Sequence, residues 1–185
     1  MPLNYMGANH IGSTGGNHEP QRPNNALLYI VGLGSTVGAG AGGKDDAITL
    51  SLSSFPLPKV TNNPIEVAYL NEKRKFAGNP VFDDLTIVMK DYIDIGTGAI
   101  LQKWRYEVYN PETGQIGLAA KYKKAGLIKM YGPNGEFDRE IELVGCWPSA
   151  LDLGEIDMTS EDAVQISMTL TYDKYIPRSG LNPRA

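Results

Sequence analysis

The sequence predicts a mainly β protein with six or seven strands and a single α-helix. Runs in which apolar and polar residues alternate recur along the chain, as expected of half-buried strands. Turn-forming residues separate these runs, and the chain holds 21 Gly and 12 Pro, both of which favour turns. Only the stretch from Asp94 to Tyr109 places apolar residues at helical spacing. We expect this helix to pack on a sheet or to close the end of a barrel.

Length and composition indicate one domain with arms and argue against several classes of protein. A chain of 185 residues can bury a substantial core. Cys146 is the only cysteine, which excludes an intrachain disulfide and a thiolate metal cluster. The net charge of −4 argues against a protein that grips nucleic acid. No apolar run has the length of a membrane span and the N-terminus does not resemble a signal peptide, so we expect cytoplasmic assembly.

The longest predicted feature is a β-hairpin from Lys121 to Pro148, turning at residues 132–135. We place Tyr131 opposite Glu136, with Lys129 opposite Asp138, Leu127 opposite Glu140 and Met130 opposite Phe137. This register puts Ile128, Met130, Phe137, Ile141 and Leu143 on one face, and Lys123, Lys129, Asp138, Glu140 and Glu142 on the other. The hairpin is thus predicted to be a wall with one buried and one charged face.

The remaining strands are predicted from short apolar or alternating runs. The first is a continuous apolar run, which is typical of a strand covered on both faces. The second places Ile48, Leu50 and Leu52 on one face, and the prolines that follow it end the strand. The predicted strands are Ala26–Val31, Ala47–Ser53, Ile65–Lys75, Phe82–Met89 and Val164–Tyr172, with a turn at Ala77–Pro80.

A glycine-rich segment from Gly32 to Gly43 follows the first predicted strand. The spacing Gly32-x-Gly34-x-x-x-Gly38 raises the possibility of nucleotide binding, because glycines let backbone amides approach a pyrophosphate. That kind of site also needs a helix directly after the glycines. A strand is predicted there instead, so we interpret the segment as a loop between strands.

The predicted helix carries an apolar stripe made of Ile100, Leu101, Trp104 and Val108. Asp94 or Thr97 can cap its start, and Asn110-Pro111 ends it. Because Trp104 lies within the stripe, we assign it to the core and not to a cofactor.

We predict no catalytic, cofactor-binding or metal-binding residues. His10 and His18, the only histidines, lie in the N-terminal arm, which argues against a catalytic triad. Asp83 and Asp84 are adjacent on a predicted strand and therefore point to opposite faces. Cys146 is interpreted as a small buried apolar residue. Acids on the returning strand neutralise the basic group formed by Lys121, Lys123, Lys124 and Lys129. A hydrolase that uses two carboxylates stays open as an alternative, but nothing in the sequence singles out a pair.

We divide the chain into an N-terminal arm (1–25), a β domain (26–176) and a polar, mobile C-terminal tail (177–185). The arm either is disordered or orders against a neighbouring subunit. After the hairpin, Trp147-Pro148 leads into an acidic connection whose spacing does not match a calcium loop. We expect Trp147 to be a buried anchor where the sheet meets this connection.

Several short motifs resemble the tail tube proteins of contractile-tailed bacteriophages. They occur in the family's order and span roughly residues 26–175. The motifs are Glu72–Gly78, Phe82–Ile87, Tyr122–Lys124, Glu140–Leu143 with Gly145–Pro148, and the strand Val164–Tyr172.

This resemblance implies a β-sandwich or barrel with one flanking helix and long hairpins. It also implies hexameric rings stacked into a helical tube inside a contractile sheath, in which hairpins from all subunits line the channel. The implied partners are the sheath protein, a baseplate hub or initiator, the tape measure protein and passing DNA that is not read by sequence. The implied location is the virion tail. A secretion or contractile bacteriocin tube is the alternative, and a small enzyme or nucleotide-binding domain is a distant third.

Overall fold

The computed structural model describes residues 21–33, 49–93, 96–132, 135–159 and 161–179. Within these ranges the protein is mostly β, with a curled sheet that forms a half-barrel and few helices, as the sequence predicts. The strands are β1 (Ala26–Ile30), β2 (Leu52–Ser54), β3 (Val60–Tyr69), β4 (Glu72–Phe82), β5 (Leu85–Lys90), β6 (Tyr109–Asn110), β7 (Gln115–Ile116), β8 (Lys124–Tyr131), β9 (Phe137–Asp152), β10 (Gln165–Thr171) and β11 (Lys174–Ser179). The helices are α1 (Thr97–Val108) and the short α2 (Ala119–Tyr122).

The long strand β9 joins the two halves of the curled sheet. Its first half pairs with β8 and β11, and its second half, from Trp147 to Asp152, pairs with β10. Between the two halves lies Gly145 with φ +70°, where a side chain would also collide with the carboxylate of Asp173. Glycine is favoured at such a φ because it has no Cβ. Gly145 thus lets one continuous strand serve both halves of the half-barrel.

The core is built from side chains of the sheet strands and of α1. The central strands contribute alternate side chains, and the helix contributes the stripe that the sequence predicts. The core consists of Leu28, Ile30, Leu33, Leu85, Ile87, Met89, Ile100, Leu101, Trp104, Ile128, Ile141, Leu143, Cys146, Ile166, Met168, Leu170 and Tyr172. Full burial of one such side chain contributes about 1.5–3 kcal/mol, so this cluster dominates the stability of the fold.

The β8–β9 hairpin has the predicted faces but not the predicted register. Lys129 pairs with Glu140, not with Asp138, which is a shift of two residues. Because side chains alternate with a period of two, this shift keeps the paired residues of β8 and β9 on their predicted faces. The exception is Phe137: a register irregularity after Met130 places it opposite Tyr131, where it is exposed and not in the core.

The hairpin also lies within a sheet and not at its margin. β1 pairs with β8 and β11 pairs with β9, so both hairpin strands have neighbours inside the same chain. The hairpin strands are therefore paired on both sides within one chain. The prediction of a mobile tail from 177 is wrong for Pro177–Ser179, which belong to β11.

The first two predicted strands differ from the observed ones. β1 is buried on one face only, since Leu27 and Val31 are almost half exposed. Residues 49–51 are helical and β2 begins at Leu52. As a result Leu50 is exposed, and Ser51 is buried beside the hydroxyl of Thr97 at 2.8 Å. Ala47 and Ile48 lie outside the described residues.

Helix α1 begins later than predicted. Its N-cap is Gly96 in the left-handed region, Thr97 is the first helical residue and no side chain caps the start. Asp94 lies outside the described residues. The C-cap is Tyr109, which is extended, so the helix ends just before the predicted stop at Asn110. The indole Nε1 of Trp104 donates a hydrogen bond to the carbonyl of Tyr122 at 2.8 Å.

Some predictions fall on residues that the structure does not describe. These are the first twenty residues of the arm, the glycine-rich segment from Gly34 onward and residues 180–185. The end of the arm is described: Gln21 donates to the carbonyl of Tyr131 at 2.8 Å and Asn25 donates to that of Gly132 at 3.1 Å. These bonds hold residues 21–25 against the end of β8.

Candidate assembly surface

Strands β3 and β4 form a two-stranded hairpin in which nearly every residue is exposed. Its strands pair only with each other among the described elements. An isolated two-stranded hairpin is marginally stable in water, and its unpaired edges can each accept another strand. The β3–β4 hairpin is therefore the part of this fold that most needs a partner.

The sequence pattern does not reveal this hairpin, because its turn lacks the usual residues. The chain turns at Leu70-Asn71, and Leu70 has φ +55°, which is uncommon for a residue that is not glycine. The predicted turn at Ala77–Pro80 instead lies inside β4. Gly78 is opposite a bulge in β3, where a side chain would collide with the carbonyl of Asn63. A glycine inside a strand is a known signal of such a bulge.

The β3–β4 hairpin has one apolar face. Ile65 pairs with Phe76, and alternation places Val67 and Tyr69 on the same face. The exposed fractions of these four residues range from 47% to 57%. The guanidinium of Arg74 lies over the ring of Tyr69, 4.7 Å from its centroid. Four half-exposed apolar side chains on one face of a projecting ribbon are typical of an interaction surface.

The opposite face of the hairpin is charged. Glu66 contacts Lys73 and Lys75, each with an N–O distance of 3.5 Å. These pairs are exposed and contribute little to stability, since surface ion pairs are worth about 0–1 kcal/mol. They keep this face hydrated, so only the apolar face requires a cover.

Aromatic rings fix the base of the hairpin to the body. Phe82, the last residue of β4, contacts Tyr172 and Tyr175 with centroid distances of 6.1 and 5.8 Å. Beside them, Lys59 and Asp83 form an ion pair at 3.2 Å, and the amide of Asp83 donates to the carbonyl of Lys59. This base cluster sets the direction in which the hairpin projects.

A second candidate surface is the predicted charged face of the β8–β9 hairpin. Each of its ionised side chains has a partner: Lys129 pairs with Glu140 at 3.7 Å, and Arg178 of β11 donates to Glu142 at 2.6 Å. Two predicted members pair elsewhere, since Lys123 contacts Asp173 at 2.7 Å and Asp138 contacts Arg139 at 2.7 Å. This face therefore carries positive and negative charges in close pairs.

The thiol of Cys146 is unsuited to chemistry. Cys146 is fully buried, and this burial raises its pKa to about 12, so it holds its proton at neutral pH and is not nucleophilic. Asp83 has Lys59 as its basic neighbour, as expected for a structural carboxylate. Across the described ranges, no three His, Cys, Asp or Glu residues converge as a metal site would require.

In the part of the chain that the structure describes, no helix has the length and apolarity needed to cross a lipid bilayer.

Comparison with curated proteins identifies the relatives of this chain. It is 29% identical over 136 residues to the tail tube protein gp19 of Enterobacteria phage T4, covering 68% of this chain and 78% of that protein. The tail tube protein gp19 of Enterobacteria phage T6 matches with the same identity and coverage. No family model matches the chain. This chain is homologous to the tail tube protein gp19 of phages T4 and T6.

Solved structures of tail and injection-system assemblies share this fold. The chain superposes on a chain of the sheath–tube complex of an extracellular contractile injection system, PVC, in its extended state. The TM-score is 0.64 at 16% identity, covering 87% of this chain and 93% of that one. A chain of the anti-feeding prophage baseplate gives 0.64 at 10% identity, covering 89% and 99%. The SPP1 tail tube gives 0.52 at 9% identity, covering 86% and 79%.

Proposed function

We propose that this chain is a tail tube protein that assembles into hexameric rings, which stack into the inner tube of a virion tail, a conduit for DNA ejected into the host. The observation that carries the proposal is the β3–β4 hairpin, whose apolar face is exposed in the single chain. Because a ring uses a head-to-tail interface, each subunit must present two different surfaces. The hairpin supplies one of them.

Covering the hairpin favours assembly by a useful amount. Full burial of a large apolar side chain contributes about 1.5–3 kcal/mol, so each half-exposed residue on this face adds roughly 1 kcal/mol when it is covered. Every subunit of a ring covers four such residues, so this contribution to the stability of the ring is repeated in each subunit. Pairing of the hairpin edges with a neighbour also removes a template for aggregation.

The paired charges of the β8–β9 face suit a channel wall. DNA contacts gain salt-dependent affinity from each lysine or arginine that reaches a phosphate. Here Lys129 and Arg178 are each held by a glutamate, which lowers their attraction for a passing duplex. We assign this face to the lumen, where DNA has to slide without being held or read.

We infer that the outer surface of the tube meets a sheath and that its ends meet a baseplate hub or initiator. The superposed relatives come from a sheath–tube complex and a baseplate, and this chain shares their fold. A tape measure protein inside the growing tube completes the set of proposed partners. Assembly of these parts takes place in the host cytoplasm.

A second candidate is the tube of an injection or secretion particle that lacks a genome. The likeness to the PVC sheath–tube complex favours this alternative, whereas both curated relatives are phage proteins. Neighbouring genes distinguish the two, because capsid and packaging functions belong to a virion alone.

Electron microscopy of the purified chain tests the proposal. We expect rings or tubes of constant diameter and six-fold symmetry once the protein concentration is high enough. The control is a chain with Ile65→Ser and Phe76→Ser, which should stay monomeric. A wild-type protein that stays monomeric at every concentration, or that forms only amorphous aggregates, contradicts the proposal.

A further inference from the structure

A second exposed apolar surface lies beside the C-terminal end of α1, far from the β3–β4 hairpin in sequence. It surrounds an open cavity of about 620 Å³ whose lining includes Tyr106, Ile116, Lys121 and Lys124. Ile116 is 77% exposed, and the neighbouring Leu118 is 70% exposed. We call these five residues the α1–β7 patch.

The α1–β7 patch carries one uncompensated positive charge. Lys124 is largely buried and lies 3.8 Å from the carboxylate of Glu107, which balances it. Lys121 is exposed and forms no ion pair with any residue that the structure describes. The patch therefore combines exposed aliphatic side chains with a free ammonium group, and it matches a partner that is both apolar and acidic.

The connection between β9 and β10 has that chemistry. Residues 152–159, which we call the acidic segment, contain three carboxylates and no basic residue. Ile156 and Met158 project into solvent, with 77% and 93% of their surface exposed. Large apolar residues alternate here with acids, in the order Glu155, Ile156, Asp157, Met158.

Local hydrogen bonds give the acidic segment a defined shape. The carboxylate of Asp152 accepts a bond from the amide of Gly154 at 3.0 Å, and that of Asp157 accepts one from the amide of Thr159 at 2.9 Å. Such Asx turns order a loop. Because the segment is already ordered, binding through it costs less conformational entropy.

The two surfaces leave each other uncovered in the single chain, since Ile116, Ile156 and Met158 are each at least 77% exposed. Lys124 pairs with Cys146 on β9, whereas the acidic segment begins at Asp152, six residues further along the same strand. At about 3.3 Å per residue this separates them by roughly 20 Å. A second copy of the chain therefore offers each surface the partner that it lacks in the single chain.

We propose that the acidic segment of one subunit docks on the α1–β7 patch of the next subunit. This contact rests on the proposed assembly into a tube and names a pair of surfaces that builds it. It is heterologous, as a closed ring or a stacked array of identical chains requires. Ile156 and Met158 cover Ile116 and Leu118, while Glu155 and Asp157 face Lys121.

Charge reversal with compensation tests the contact. Lys121→Glu and Glu155→Lys should each raise the concentration needed for tube formation by about tenfold or more, since like charges across an interface cost several kcal/mol. The chain that carries both reversals should recover most of the wild-type behaviour. Lys103→Glu, on an exposed part of α1 outside the patch, is the matched control and should assemble normally.

Two further measurements keep the test decisive. Circular dichroism should show unchanged folding of the variants, because Lys121 and Glu155 are exposed. If a reversal does unfold the chain, Glu155→Gln with Asp157→Asn replaces it, since asparagine still accepts the hydrogen bond from Thr159. This pair of substitutions should weaken assembly and reduce the salt dependence of assembly.

The proposal is overturned if Lys121→Glu assembles like wild type, or if the double reversal is no better than the single ones. A wild-type chain that forms no tubes refutes the proposed function itself and this contact with it.

Discussion

The ring of Phe82 meets that of Tyr175 edge-on, with centroids 5.8 Å apart. Phe82 ends strand β4 and Tyr175 lies on β11, so this contact joins the projecting hairpin to the sheet. Tyr172 contacts the same phenyl ring at 6.1 Å. These aromatic contacts thus fix the orientation of the hairpin relative to the sheet, with which it otherwise has few contacts.

Replacing Phe82 by Ala should loosen the β3–β4 hairpin. An aromatic pair contributes about 0.5–1.5 kcal/mol beyond its buried area, so we expect a modest drop in melting temperature and weaker tube assembly. Hydrogen exchange should accelerate at residues 60–82 and stay constant in α1. Equal exchange in the variant and the wild type at residues 60–82 would show that the ion pair of Lys59 and Asp83 suffices.

The β3–β4 hairpin should gain protection only when the tube forms. Its strands have no other neighbours among the described elements, whereas β8 and β9 are paired on both sides in the single chain. Hydrogen exchange should therefore be fast at residues 60–82 of the monomer and slow in the tube. Residues 124–131 and 137–144 serve as the internal control and should be protected in both states. Slow exchange of residues 60–82 in the monomer contradicts the assignment.

The two tryptophans should differ in their contributions to stability. Trp104 is fully buried, whereas Trp147 is half-buried and packs against the ring of Tyr122 at 5.9 Å. Trp104→Ala should lower the free energy of unfolding by about 3–5 kcal/mol, and Trp147→Ala by clearly less. Trp147 also lies in the middle of β9, so the prediction that it is a buried anchor at the acidic connection is wrong.

Trp104→Phe isolates the hydrogen bond to Tyr122, since it keeps an aromatic ring in the core. We expect a loss of about 1 kcal/mol from the bond in addition to the smaller ring volume. Urea unfolding of the three variants in parallel gives the comparison. An equal cost for Trp104→Ala and Trp147→Ala would contradict the burial difference.

The thiol of Cys146 should make stability fall at high pH. Burial raises its pKa from 9.0 to about 12, so the folded state keeps the proton longer than the unfolded state does. The contribution of this group is complete below pH 9 and is lost as the pH rises from 9 towards 12. Denaturant unfolding from pH 7 to 11 measures the loss, and Cys146→Ala should show a shallower decline.

The same burial predicts slow reaction with a thiol reagent at pH 8. Labelling should proceed only through unfolding and should accelerate in denaturant. Rapid stoichiometric labelling of the native chain would place the thiol at the surface.

Reversal of Glu140 and Glu142 tests the channel assignment. Both face a basic partner, Lys129 or Arg178, and Glu140→Lys with Glu142→Lys would leave four positive groups on this face of every subunit. Tubes should still form, while DNA ejection should slow, more strongly at low salt because screening is weaker there. Normal ejection with failed sheath attachment would instead place this face on the outside of the tube.

The sequence alone predicted the elements in which local pattern and burial agree. The stripe of Ile100, Leu101, Trp104 and Val108 identified α1, and the alternation from Val164 to Tyr172 identified β10. In both, each side chain's burial follows from its own position in a regular period. The motifs that resemble phage tail tube proteins also lie in such elements, and the comparisons confirmed that likeness.

Only the tertiary structure decided pairing and exposure. The turn at Leu70-Asn71 has no local signal, because a leucine at positive φ is held there by the strands on either side. Residues 49–51 alternate like a strand, yet they are helical, and Ser51 reaches the hydroxyl of Thr97 some 46 positions away. The two-residue shift of β8 against β9 is invisible in the pattern, because it preserves both faces. Each of these features depends on contacts between distant residues, whereas periodicity shows only which side chains of one segment face the core.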